Sequence, residues 1–188
     1  MSDWIERQPA GAVDKLWDCL AGSGDGMTLI VCAANSRIWV STNRGISWTE
    51  VQPAGNVSRN WHAVACSANG AVMMAACIST NGRLYVSTNT GSSWSEVQPA
   101  GAADKNWMTC AVSGDGQTML AGIYTGRLYL STNQGSSWSE VQPAGAVSAM
   151  WTSCAINSDG TKMICCAQTG RVWVSTNQGG AWTEAVPF

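Results

Sequence analysis

The chain alternates short apolar runs with clusters of turn-forming residues. Arg127-Leu128-Tyr129-Leu130 runs into the polar stretch Ser131-Thr132-Asn133-Gln134-Gly135-Ser136-Ser137-Trp138, and Ser139-Glu140-Val141 follows it. Runs this short, broken about every ten residues by Gly, Asn, Ser or Pro, predict strands, and no stretch has helical periodicity. The polar stretch predicts a hairpin turn. Asn133 and Gly135 are residue types that tolerate positive φ, Ser and Asn side chains bond nearby backbone groups, and Trp138 anchors the turn by packing.

Nearly the same eight residues recur from Ser41 to Trp48, Ser87 to Trp94 and Ser175 to Trp182. Ser-x-Asx-x-Gly-x-x-Trp resembles the Asp-box, or bacterial neuraminidase repeat, of sialidase-type β-propellers and many non-enzymatic propellers. All four copies carry Asn (Asn43, Asn89, Asn133, Asn177) where that family usually has Asp. Asn keeps the acceptor oxygen and loses the charge, which removes a carboxylate that could hold a cation. The resemblance covers nearly the whole chain and implies a fold, not an activity.

The larger unit is set by Trp17, Trp61, Trp107 and Trp151, spaced 44, 46 and 44 residues apart. The extra two residues fall in the second unit, where Ile78-Ser79-Thr80-Asn81-Gly82 lengthens a turn. A period near 45 residues with four strand signals is that of a propeller blade. The expected fold is all-β: a β-propeller of four four-stranded antiparallel blades in one domain. The repeats run approximately over 12–55, 56–101, 102–145 and 146–188, and residues 1–11 add an extra N-terminal outer-strand copy. In that copy Trp4-Ile5-Glu6-Arg7-Gln8-Pro9-Ala10-Gly11 matches Trp48 to Gly55. The surplus strand could cover an edge, replace the final strand as a clasp, or be exchanged with another chain. Small residues in the inner strands, such as Val64-Ala65-Cys66-Ser67 and Met74-Ala75-Ala76-Cys77, suit the tight centre of a closed four-bladed monomer, which is favoured over an eight-bladed dimer.

Composition narrows the partners. Hydrophobic residues make up 45%, enough for a core, while charged residues are 12% and the net charge is -2. No basic cluster points to nucleic acid or an anionic membrane, and no apolar run approaches the roughly 20 residues of a membrane helix. The N-terminus lacks the pattern of a signal peptide. The eight cysteines have no zinc-like spacing and sit in apolar strands, as free thiols acting as small hydrophobes. The expected location is therefore cytoplasmic, with unconventional secretion as the alternative, and neither metal nor cofactor is expected.

Alternating strand direction sorts the loops onto two faces. The Asn-Gly hairpins share one with turns of the Gly24-Asp25-Gly26 type; the blade connectors share the other with the turns before each third strand. In sialidase-like propellers the connector face binds ligand, and the resemblance implies the same here. Two features repeat on it: Trp17, Trp61, Trp107 and Trp151 in the connectors, and Arg37, Arg83, Arg127 and Arg171 before the third strands. Trp stacks on sugar rings, and Arg donates a fork of hydrogen bonds to hydroxyls or a carboxylate. Alternatively the Trp residues pack between blades and the Arg residues cap carbonyls. Trp39, Tyr85, Tyr129 and Trp173 are expected to fill the space between blades, and the Glu on each outer strand to discourage edge pairing. His62, the only histidine, is read as a connector residue and not as a base.

Hydrolysis at a propeller mouth requires unlike residues in one place, whereas this chain offers like residues four times over. Sialidases draw an arginine cluster, a Tyr–Glu nucleophile pair and an Asp acid from different blades, and that set cannot be placed here. The expectation is a non-enzymatic, multivalent, lectin-like propeller whose partner is a glycan or polysaccharide. The alternative is a protein-interaction or structural repeat scaffold, natural or engineered, without a small ligand.

Overall fold

The computed structural model describes residues 5–79, 81–168 and 170–185. Its strands form four antiparallel meanders. In the first blade β1–β4 span Trp17–Gly22, Leu29–Ala33, Ile38–Ser41 and Thr49–Val51; in the second β5–β8 span Asn60–Cys66, Met73–Ile78, Leu84–Ser87 and Ser95–Val97. In the third β9–β12 span Trp107–Val112, Met119–Ile123, Leu128–Ser131 and Ser139–Val141; in the fourth β13–β16 span Trp151–Ile156, Met163–Ala167, Val172–Ser175 and Thr183–Ala185. Spatial order follows chain order in every sheet, so each sequence repeat builds one blade. The all-β class and the four four-stranded blades are as the sequence predicts.

The hairpin joining the third and fourth strands is built by its side chains. Ser131 is buried, and its Oγ accepts the Gly135 N–H at 2.9 Å while its hydroxyl donates to Asn133 Oδ1 at 2.9 Å. The same Oδ1 accepts the Ser137 N–H at 2.9 Å, and Asn133 Nδ2 donates to Ser137 Oγ at 2.8 Å. Trp138 Nε1 donates to the Gly135 carbonyl at 3.0 Å, which fixes the indole. Positive φ falls on Gln134 (55°) and Gly135 (82°), with the Ser136 N–H closing onto the Asn133 carbonyl at 3.1 Å, the geometry of a type I′ turn. Asn133, a residue type that tolerates positive φ, does not adopt it here: its side-chain acceptor is what the turn uses. The hairpin is tied to the preceding turn of its own blade by Gln134 N–H to Gln117 O at 3.0 Å, so both lie on one face.

The inner strands β1, β5, β9 and β13 stand side by side in succession. Three apolar clusters hold the blades together, one at each joint between successive blades. Ile30, Cys32, Ile38 and Val40 meet Trp61, Val64, Met73 and Tyr85 at the first joint. Met74, Leu84 and Val86 meet Trp107, Val112 and Met119 at the second, and Leu120, Leu128 and Leu130 meet Trp151 and Met163 at the third. The cysteines other than Cys166 lie within these clusters or at their margins, with Cys32, Cys77, Cys110 and Cys165 buried.

Among the described residues no cluster joins the fourth blade to the first. This corrects the expectation of a closed four-bladed ring. Small residues such as Ala65, Ala75 and Ala121 lie within the joints between successive blades. Closure depends on the rotation summed over all joints, which no short stretch of sequence encodes. The extra outer-strand copy also differs from expectation. Residues 1–4 lie outside the described residues, and 5–8 form no strand. Instead Arg7 lies beside the first hairpin, its Cγ 3.8 Å from the point a Cβ on Gly45 would occupy.

Candidate binding groove

A β-bulge follows the connector Trp in every blade, between Trp17 and Cys19, Trp61 and Ala63, Trp107 and Thr109, and Trp151 and Ser153. A bulge adds one residue to the alternation and re-aims the side chain before it. Trp61, Trp107 and Trp151 are therefore turned into the joints and buried there, and the expectation of a stacking platform on the connector face is corrected for these three. Trp61 meets Tyr85 edge to face with centroids 5.6 Å apart, and Trp107 meets Tyr129 in the same way at 5.7 Å. Trp151 Nε1 donates to the Gly126 carbonyl at 3.2 Å. Trp17 makes the same contact with Trp39 at 5.2 Å, yet it is exposed, because among the described residues no other blade packs against it.

The arginines tie third strand to outer strand. Arg37 lies 3.6 Å from Glu50, Arg83 3.3 Å from Glu96, Arg127 3.6 Å from Glu140, and Arg171 pairs with Glu184. The remaining guanidinium nitrogens reach the following connector. Arg127 donates to the carbonyls of Ala146 at 2.9 Å and Val147 at 3.0 Å, and Arg37 donates to Asn56 Oδ1 at 2.7 Å. Arg83 lies 3.0 Å from Asp104, whose carboxylate also accepts the Asn81 N–H at 3.0 Å from the lengthened turn of the second blade. These forks are committed to holding connectors, and only Arg171, 67% exposed, is open to solvent. His62 Nδ1 sits 2.8 Å from Asp18 of the first blade, an inter-blade polar contact.

The structure instead brings together a groove of about 520 Å3 on the outer rim between the first and second blades. One wall is β4 and the residue after it, with Thr49, Glu50 and Gln52; the other is the second hairpin with Thr90, Ser92 and Ser93, and half-buried Trp94 also lines the groove. Gln52 Nε2 donates to Glu50 Oε1 at 3.1 Å, which orients both side chains. The repeat places like residues at the next joints: Ser95, Glu96 and Gln98 opposite Ser136, Ser137 and Trp138, then Ser139, Glu140 and Gln142 opposite Trp182. Gln98 and Gln142 repeat the amide-to-carboxylate bond, at 2.8 Å and 2.6 Å. Sequence reading missed this rim because its two walls come from different repeats. The signal available was the Glu-x-Gln pair after each hairpin Trp.

No family model matches the chain. No curated protein matches it either. Among solved structures, a GH74 enzyme from Niastella koreensis superposes with a TM-score of 0.71 at 20% identity, over 92% of this chain and 30% of that one. The GH74 xyloglucanase from Xanthomonas campestris gives 0.62 at 20% identity, over 82% and 27%. YCF48 from Cyanidioschyzon merolae gives 0.67 at 13% identity, over 97% and 60%. The chain thus spans under a third of the length of those GH74 enzymes. At these identities the likeness concerns the fold alone: the four blades are those of a β-propeller.

Proposed function

We propose that this chain is a non-catalytic, carbohydrate-binding propeller whose sites are the outer grooves between blades. The observation that carries this reading is the groove at the first joint, which an indole held in place by its own hydrogen bond lines together with hydroxyl, amide and carboxylate groups. Such a mixture fits a sugar, with C–H groups over the ring and hydroxyls against the walls. Among the described residues Glu50 is the only carboxylate lining the groove, whereas glycoside hydrolysis uses two. Repetition at successive joints lets weak contacts add through effective concentration on a polymeric glycan. The fold shared with a xyloglucanase makes xyloglucan a sensible first probe. We also read the hairpins as Asn-bearing forms of the Asp-box, since the Asn acceptor organises the turn as an Asp carboxylate would.

Affinity electrophoresis on soluble xyloglucan, mixed-linkage glucan, xylan and an acidic glycan tests the reading. Retardation by at least one polysaccharide, reduced roughly tenfold by Glu50→Gln combined with Gln52→Ala, is the expected result; both side chains are exposed, and a solvent-exposed pair such as Arg37–Glu50 contributes at most about 1 kcal/mol to the fold. A blank across the panel sinks the carbohydrate reading and leaves the protein-interaction scaffold in its place.

A further inference from the structure

The two ends of the blade array carry unfinished copies of an interface that the chain builds three times over. Leu20 in the first blade is 75% exposed, whereas Val64 in the same position of the second is 5% exposed. Trp17 is 43% exposed against 1–3% for Trp61, Trp107 and Trp151. At the other end Ile164 is 44% and Val172 37% exposed, while their counterparts Met74, Leu120, Leu84 and Leu128 are all at 0%. One end thus presents the receiving half of a joint and the other presents the inserting half.

The hairpins show how the halves fit. Gly91, Gly135 and Gly179 each pack against the third strand of the preceding blade, with Val40, Val86 and Leu130 within 3.2 Å of a virtual Cβ. Among the described residues no third strand of another blade packs against Gly45, and no hairpin packs against Val174, the counterpart of Val40. We propose that the fourth blade of one copy of this chain seats on the first blade of a second copy, and reciprocally, closing a two-fold ring of eight blades.

The second copy is favoured as occupant because each end face is the structural counterpart of a surface already buried against its complement in the same chain. Propellers close with about four to eight blades. Four blades here leave the ends unjoined, two copies reach the upper end of that range, and a third copy would exceed it. Head-to-tail contacts that close by rotation end in a ring; those that do not close continue as a filament. At each joint the place beside Gly45 is contested by Arg7 and its neighbours and by incoming β16. β16 arrives already paired with β15 through Val172–Ala185, Trp173–Glu184 and Val174–Thr183, whereas residues 5–8 have no strand partner. The N-terminal segment therefore gives way.

Light scattering coupled to gel filtration, run on the intact chain over a range of concentrations, tests the ring. The expected mass is twice 19.8 kDa, without larger species. Leu20→Glu and, separately, Ile164→Glu are each expected to return the protein to the single-chain mass with an unchanged circular dichroism spectrum. Each side chain is exposed in the single chain and enters both joints of the ring, so one substitution breaks both. A single-chain mass for the parent protein throughout, an open series of growing masses, or a dimer that survives both substitutions overturns the proposal.

Discussion

At the residue scale, burial converts chemically versatile side chains into packing. The connector tryptophans have the size and polarity of ligand contacts, yet three of them fill joints. The thiols follow the same course. Burial pushes Cys32 and Cys154 up to about 12 and Cys66 to about 11, and raises Cys77, Cys110 and Cys165 as well. A folded-state value above the ordinary 9.0 means that the unfolded chain releases its protons first as pH rises. The stability tied to these thiols is therefore complete below about pH 9 and is lost as pH climbs towards about 11–12. Urea unfolding should give a steady midpoint from about pH 7 to 9 and a steep fall above it, and Cys110→Val should make that fall shallower. An alkaline limb unchanged in the variant would mean that other groups control it.

At the element scale, the hairpin is the recurring structural decision. Its turn depends on one buried hydroxyl, one amide side chain and consecutive positive-φ residues, of which Gly135 is the one suited by nature to that conformation. Ser131→Ala removes the acceptor for the Gly135 N–H and should cost about 1–3 kcal/mol. Asn133→Asp keeps the oxygen that receives Ser131 and the Ser137 N–H, and the Ser137 hydroxyl can turn to donate, so the cost should stay under about 1 kcal/mol. Chemical denaturation of the two variants distinguishes them; equal losses would refute the assignment of roles. The hairpin was legible from Ser131 to Trp138 because its bonds are local. The direction of Trp107 was not, because the bulge after it is defined only by pairing with β10.

At the scale of the whole molecule, stability is distributed joint by joint. Blades in such an array draw on their neighbours, so the inner blades have two joints and the end blades one. β6 and β10 are almost entirely buried, whereas β1 is mostly exposed and β14 only partly covered. In the Leu20→Glu protein, amide exchange should be fastest in the first and fourth blades and slowest in β6 and β10. Uniform protection across the blades would show that the array unfolds as a single unit.

The amino-acid sequence by itself determined the strands, the hairpins, the four blades and the two loop faces. Each follows from residues within one period of about 45, where turn chemistry and alternation act locally. Tertiary structure alone decided which side chains remain available. Trp61 became core, Arg127 became a brace for the next connector, and Glu50 and Trp94 from different repeats came to line one groove. It also left Leu20 and Ile164 uncovered at opposite ends, because closure is a sum of rotations over all joints and no single repeat contains it.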